Sequence, residues 1–378
     1  MTNAQSRSPI LFLSHEFPPL GGGAGRLLLL LCEELHRRGV ALRVWTSRLP
    51  VENASSREFP VTAFFTGRIK RFDTNVPAMV RYIAAAIGAA RRWQGAKPSI
   101  VISNMAIPGG IAGAAVSKIL AVPHVIWHHG SDVHLRRARG ASAVFRQLLR
   151  IIWRSSSLNL FVSESMERMA RSYGMKTSSA IVPVAVDGDF SSTAASSDNR
   201  FFLFAGRMEA VKNPLLLLDA ISLLAEKNEC RAVRFLFVGE GKLFGTLKGR
   251  VNQRELTHAV ELRNAVPFSE MLKLYQSAYA VVLPSVIEGF PLTALEAGRC
   301  GVPAIGARTP GIVDAVEDGG TGLLFSPGDA RSLASAIARL HGDAGLRNKL
   351  GENARLRAQQ FTLTAMADAF QKAIQKLP

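Results

Sequence analysis

Cysteine is scarce in this chain: Cys32, Cys230 and Cys300 are the three in 378 residues, and none stands at the close spacing that holds zinc or exchanges disulfides. A disulfide-stapled secreted scaffold is thereby excluded, and reduced thiols in a cytoplasmic protein are expected. Long apolar runs are missing too. The weakly polar stretch from Gly109 to Trp127 contains Lys118 and Pro123 and divides into a helix and a strand, so no transmembrane span is expected. The run Ile10 to Leu13 ends at His15 and Glu16, too short for a signal-peptide core. These absences predict a cytoplasmic protein, soluble or peripheral on the inner face of the membrane. Acid is also in short supply, with 29 Asp and Glu against 46 Lys and Arg and a net charge of +17. Residues 1–190 carry 24 bases against 11 acids, whereas the remainder carries 22 against 18. The first half is therefore expected to meet something anionic: a phospholipid surface, a lipid-linked or phosphorylated molecule, or nucleic acid. Specific nucleic-acid binding is disfavoured, because no reading module is present and the basic segments carry no interleaved aromatics.

What the chain does have is regular alternation. At 48% hydrophobic and 20% charged it is globular, and its length suits two domains. Short β-rich runs (10–13, 42–46, 100–103, 124–127, 158–162, 181–183) alternate with helical ones (25–38, 76–93, 109–120, 141–155). A polar stretch from Ser191 to Arg200 then reads as a linker. The pattern restarts with strands 201–205, 233–238, 279–283 and 303–305 and helices 214–226, 271–277 and 292–300, and after Asp329 it is wholly helical. The expected class is α/β, with two Rossmann-like domains facing each other across a central cleft: residues 1–190, residues 191–358, and a last helix within 359–378 packing back on the first. Ligands of such sheets bind at the carboxyl ends of strands, so the loops there carry the chemistry.

In the second half, Pro284-Ser285-Val286-Ile287-Glu288-Gly289-Phe290-Pro291-Leu292-Thr293-Ala294-Leu295-Glu296-Ala297 follows an apolar strand and opens a helix. Gly289 admits close backbone approach, Pro291 suits a first helical turn, and helix-start amides meet anions. Glu288 and Glu296 would stand about 12 Å apart were the whole interval helical. That span suits a hexose and a ribose separated by a pyrophosphate, each carboxylate accepting from a vicinal diol. Alone, the segment also fits a capped surface helix with two solvated acids. However, Phe201 to Ala205 is another strand, and it ends in Gly206 and Arg207 with Lys212 close behind, cations able to stabilise departing phosphate without a metal.

Gly206-Arg207 with Lys212, Val238-Gly239-Glu240-Gly241, Glu288 with seven residues before Glu296, Gly301-Val302-Pro303, Gly311, and Asp318-Gly319-Gly320-Thr321-Gly322-Leu323-Leu324 together resemble the family-4 retaining glycosyltransferases of GT-B fold. The resemblance covers nearly all of residues 201 to 340. It implies that Arg207 and Lys212 contact the donor diphosphate, Glu288 the donor sugar hydroxyls and Glu296 the ribose. It also implies that backbone at Gly206, Gly289, Phe290, Pro291 and Leu292 holds phosphate and sugar.

The first half offers His15-Glu16-Phe17-Pro18-Pro19-Leu20-Gly21-Gly22-Gly23-Ala24-Gly25-Arg26, a glycine loop opening a helix. It departs from the dinucleotide fingerprint, because Arg26 stands where the last glycine belongs, and Gly239-Glu240-Gly241 fails likewise at Phe244; a dehydrogenase is disfavoured. By resemblance, Gly22 and Gly23 face the donor phosphates. His128-His129-Gly130-Ser131-Asp132-Val133-His134 is too crowded for regular metal geometry. The resemblance places His129 against the donor sugar and gives Asp132 a loop-orienting role, with Asn104 assigned to the same acceptor-side loops; His128 and His134 are read as structural. Asp187-Gly188-Asp189 matches a D-x-D metal pair superficially but is read as a strand-to-linker turn. In the family's Pro-Asn-Gly-Val-Asp segment, this chain has Val184 and Ala185 for Asn and Gly, so any contact of that Asn is absent.

Residues 141–155 read as two-faced, with Phe145, Leu148, Leu149 and Ile152 on one side and Arg146, Arg150 and Arg154 on the other. With Arg136, Arg137 and Arg139 before them and Arg68, Lys70 and Arg71 as a second cluster, this face is expected to rest on anionic lipid and receive a membrane-borne acceptor. A helix packing inward with solvated arginines fits equally. The expected activity is metal-independent, retaining transfer of a hexose from a UDP- or GDP-sugar, with no cofactor, to a hydroxyl-bearing glycan or lipid-linked acceptor in cell-surface polysaccharide or glycolipid synthesis. Catalysis is assigned to Arg207, Lys212, Glu288 and His129. A nucleotide-sugar epimerase or a phosphorylase of the same architecture is the alternative, and a non-enzymatic nucleic-acid-binding protein the remote one. Residues 262–266 are expected to shape donor preference.

Overall fold

The computed structural model describes residues 8–50, 57–68, 75–130, 132–133, 141–186, 200–226 and 233–377. The linker 191–199, Asp187-Gly188-Asp189, Lys70, Arg71, Ser131, His134, Arg136, Arg137, Arg139 and Cys230 lie outside them. The chain divides into two compact units: Met1–Asp187 with Thr362–Pro378, and Gly188–Phe361.

The first unit holds seven strands: β1 (Ile10–Ser14), β2 (Leu42–Arg48), β3 (Val61–Phe65), β4 (Ile100–Asn104), β5 (His124–His128), β6 (Leu158–Phe161) and β7 (Ser179–Ile181). They form one parallel sheet in the order β3-β2-β1-β4-β5-β6-β7. The inner strands β1, β4, β5 and β6 are buried along their whole length, which is why they read as continuous apolar runs. Edge strand β3 is only half-covered and carries no such run, so the sequence reading passed over it. It also passed over the short polar helix Glu164–Ser172, which buries only Ser165, Met166 and Ala170.

Connections β3 to β4, β4 to β5 and β5 to β6 all step one way along the sheet, whereas β1 to β2 steps the other. Right-handed crossovers therefore put helices Val76–Arg91, Ile111–Leu120 and Ala141–Arg154 on one face and Gly23–Arg37 on the opposite one. Side chains agree: Leu11 and Leu13 pack with Tyr82, Ala86 and Val116, while Phe12 between them stacks on Phe370 at 6.0 Å. Phe370 belongs to the last helix, Leu363–Ile374, which Arg38 ties down by donating to Asp368 at 2.5 Å and Gln371 at 2.8 Å.

Helix Ala141–Arg154 corrects one expectation. It buries Leu149, Ile152 and Trp153, whereas Leu148 is 37% exposed. Consecutive residues stand ~100° apart on a helix, so once Leu149, Ile152 and Trp153 point at the sheet, Leu148 turns away from it. The second basic cluster is corrected as well. Arg68 is fully buried and donates to the His15 carbonyl at 3.0 Å, so it is no surface cation.

The second unit holds β8 (Phe201–Ala205), β9 (Arg234–Val238), β10 (Val260–Arg263), β11 (Ala278–Leu283), β12 (Ala304–Ala307) and β13 (Gly322–Phe325), parallel in the order β10-β9-β8-β11-β12-β13. The sequence reading missed helix Phe244–Gln253 and strand β10, both thinly apolar, and strand β13, which is only four residues long.

Candidate active site

Strand order reverses between β8 and β11, so the loops after these two strands flank a switch point where ligands of open α/β sheets bind. Three loops meet there. Val286 donates its amide to the Val211 carbonyl at 2.9 Å, joining the loop after β11 to the loop after β8, and Glu288 donates its amide to Pro310 O at 3.2 Å, joining it to the loop after β12. Lys212 Nζ lies 2.5 Å from Glu288 Oε1, which also accepts from Ser285 Oγ at 2.7 Å. The resemblance assigns these two charges separate roles; the structure pairs them. Arg207 is exposed beside Gly206 at the end of β8.

The helix after this loop runs Leu292–Arg299 with Pro291 as its N-cap, so the interval from Glu288 to Glu296 is not wholly helical and the 12 Å rise does not apply. Gly289 and Pro291 are buried, and Leu292 is half-buried at the helix start. Phe290 is half-buried and packs its ring 5.2 Å from Phe361. Glu296 is buried, and its Oε2 accepts from Tyr275 at 2.7 Å. Burial first, then the Glu296 charge, push the Tyr275 hydroxyl well above its usual range, so it remains a donor. Tyr275 and Ser285 were missed. Ser285 lay in plain view inside the motif, but nothing in the spacing ties Tyr275 to Glu296.

Gly311 sits at φ +80°, and a Cβ there would stand 2.2 Å from Glu288 O and 2.7 Å from Gly289 O. Neither backbone oxygen can yield without moving the loop. Gly311→Ala is therefore expected to destabilise this unit by about 2–4 kcal/mol, a drop of roughly 5–15 °C in melting temperature. A melting curve matching the parent would show that the loop gives way freely.

In the first unit the order reverses between β1 and β4. Asn104, at the end of β4, donates to Ser14 Oγ at 3.0 Å, and Ser14 in turn donates to Glu16 O at 2.6 Å, bridging the two loops. Gly22 is the N-cap of helix Gly23–Arg37; both Gly22 and Gly23 are exposed, so the amides of this helix start face outward. Gly25 is where bulk is forbidden, since a Cβ there would meet Glu16 O at 2.8 Å.

Asp132 gathers the loop after β5. Its Oδ1 accepts the amides of His129 and Gly130, both at 3.1 Å, and its Oδ2 accepts the Ala106 amide at 2.9 Å and faces His128 Nδ1 at 2.7 Å. Burial alone would raise this carboxyl; the His128 ring and the amides outweigh it and hold it at about 2. His128 is spent inside the protein, with Nε2 3.0 Å from Asn159 Oδ1. His129 differs. Both its ring nitrogens are buried without a hydrogen-bond partner among the described residues, and its ring lies 4.5 Å from Trp127. Burial, reinforced by His128 and opposed by Asp132, lowers it to about 4, so at neutral pH it is an uncharged imidazole able to bond a neutral hydroxyl. Among the described residues, no group of three or more His, Cys, Asp or Glu could hold a metal ion.

Residues 21–190 match the model of Glycosyltransferase Family 4, and residues 187–357 that of Glycosyl transferases group 1. The chain is 26% identical over 278 residues to an uncharacterised glycosyltransferase of Methanocaldococcus jannaschii, 74% of this chain and 75% of that one. Against a D-inositol 3-phosphate glycosyltransferase of Corynebacterium jeikeium it is 32% identical over 180 residues, 46% of this chain but only 43% of the relative's length. Among solved structures, sucrose-phosphate synthase from Thermosynechococcus elongatus aligns with a TM-score of 0.85 at 21% identity over 98% of this chain and 99% of that one. Anabaena HepE in complex with UDP-glucose aligns at 0.76 and 19% identity over 98% and 100%. At such identities these two likenesses carry the fold.

Proposed function

Because the chain belongs to the family-4 glycosyltransferases of GT-B fold, we propose that it transfers a hexose from a UDP- or GDP-linked donor to a hydroxyl acceptor with retention of configuration. The observation that carries this reading is the convergence of three loops at the β8/β11 switch point, which holds Lys212 against Glu288 beside a helix start. In the proposed complex the helix-start amides and Gly289 take the diphosphate, with Arg207 and Lys212 balancing the charge that grows on it as the sugar leaves. Two side-chain cations make a bound metal unnecessary to this step. Glu288 holds sugar hydroxyls, and Glu296, steadied by Tyr275, holds the ribose diol. Neutral His129 offers a hydrogen bond to the donor sugar, its loop fixed by Asp132. The acceptor oxygen enters on the face the phosphate leaves. Anabaena HepE, whose structures contain UDP and UDP-glucose, supports a uridine donor. A lipid-linked or glycan acceptor met at the inner face of the cytoplasmic membrane fits the basic first half.

The test is a thermal-shift panel of UDP, GDP, ADP and their sugars. One nucleotide series is expected to raise the melting temperature, and Glu296→Ala to weaken that ligand by about tenfold or more, as loss of a buried carboxylate accepting from a diol implies. Product analysis with the matching sugar should then find a glycoside and no free inorganic phosphate. Identical shifts with and without Glu296, or no shift in any series, would sink the assignment.

A further inference from the structure

Four described helices cover one face of the first sheet, and three of them are unusual in charge. Val76–Arg91, Ile111–Leu120 and Ala141–Arg154 contain Arg81, Arg91, Lys118, Arg146, Arg150 and Arg154 and not one Asp or Glu. The same layer exposes apolar side chains at helical spacing. Val144 is 74% exposed, Leu148 37% and Ile151 55%, a stripe at i, i+4 and i+7; Val76 and Val80 are 71% and 58% exposed on the neighbouring helix. Both helices pack against the segment Ala106–Gly110. Each also follows a strand, so its first turns, carrying Val76, Val80, Val144 and Leu148, lie at the carboxyl edge of the sheet, the edge that bears the candidate loops.

We infer that this helix layer docks on an anionic lipid bilayer, with Val144, Leu148 and Ile151 entering the headgroup boundary and Arg154 at its rim. The helix between β6 and β7, Glu164–Ser172, lies on the same face, but it holds Glu164 and Glu167 against its own Arg168 and Arg171, so the described helices of this layer present a net positive charge, which suits a uniformly negative plane. Arg146 and Arg150 are partly engaged: Arg150 donates Nε to Tyr173 O at 2.7 Å, and Arg146 lies 5.9 Å from the Tyr173 ring. Their charge still adds to the local field, and Arg154 is the exposed arginine of this helix. Such docking brings the carboxyl edge of the sheet to the lipid headgroups. The inference rests on the proposed membrane-borne acceptor only for its purpose; the surface binding itself needs no nucleotide sugar.

Flotation of the full chain with vesicles of phosphatidylcholine alone, and of phosphatidylcholine mixed with phosphatidylglycerol, tests it. Binding is expected to the mixed vesicles only, and to fall with added salt. Arg154→Gln should weaken it about fivefold and Ile151→Asp by at least about tenfold. Both positions are exposed, so the variants should fold, and an unchanged melting curve verifies that. Equal binding to both vesicle types, or undiminished binding by Ile151→Asp, overturns the proposal. So does capture by a polyanion such as polyuridylate with none by vesicles. Failure here leaves the sugar-transfer reading standing, and failure of the nucleotide panel leaves a flotation result intact.

Discussion

Lys212→Met is expected to lower kcat/KM for sugar transfer by about a thousandfold, the order of effect when one preorganised charge facing a developing anion is removed. Two losses add in this variant. The leaving diphosphate forfeits a cation, and Glu288, whose side chain is only 11% exposed, keeps its charge with Ser285 as its nearest polar contact. A carboxylate left without its cation repels the phosphates it stands beside. Glu288→Gln should cost less, about ten- to a hundredfold, because the amide still accepts from Ser285 and still bonds a sugar hydroxyl while leaving Lys212 in place. The double variant should then be well short of the product of the two, since removing both partners abolishes the repulsion that made the first so damaging. Steady-state kinetics on the four proteins would decide the matter. Strictly multiplicative losses would mean that the pair at 2.5 Å does not act as one unit.

That pairing also marks where sequence reasoning stops. Arg207, Lys212, Glu288 and Glu296 could be picked out because each stands in a loop or helix start directly after a buried strand, and strands buried on both faces announce themselves as apolar runs. The α/β class and the doubled architecture were legible for the same reason. Partnerships were not, because they depend on how far apart in sequence two loops may be and still share a sheet edge. Lys212 and Glu288 meet only through the β8/β11 adjacency, and Tyr275 reaches Glu296 from a helix whose own pattern says nothing of a hydroxyl.

Rotation of a helix about its axis was equally hidden. Leu148 and Leu149 look alike in a row of letters, and placing one in and one out takes the packing of Ile152 and Trp153. Arg68 misled in a similar way. A cation in a basic run reads as surface charge, yet its guanidinium is drawn inside by the His15 carbonyl, an acceptor no side-chain pattern reveals. Edge strand β3 and the short polar helix Glu164–Ser172 escaped because neither buries enough to impose a period.

Acid should unfold the first unit well before the second. His15, His124 and His129 all lie in the first unit, and each is held down to about 4, chiefly by burial; beyond that Arg68 presses on His15, whereas the Ser155 carbonyl partly relieves His124 and Asp132 partly relieves His129. In the unfolded chain each takes a proton near pH 6.5, and in the fold only near 4. Between those values the unfolded state binds more protons, so stability is complete above the upper one and is lost as pH falls toward the lower. Each histidine costs about 1.4 kcal/mol per pH unit in that window, and the three together about 6 kcal/mol by pH 5, comparable with the whole stability of a domain. Asp132 extends the trend in the same direction, its contribution vanishing only as pH drops from 3.8 toward about 2. Calorimetry across pH 7.5 to 4.5, a window set by those two histidine limits, should show an early transition that shifts steeply downward and a later one that moves little. His129→Gln keeps a polar group in place but cannot titrate, so it should flatten the early slope by about a third. Parallel pH dependences for the parent and that variant would mean that His129 is hydrated and titrates as it does in the unfolded chain, and its proposed place as a neutral donor or acceptor beside the sugar would fall with it.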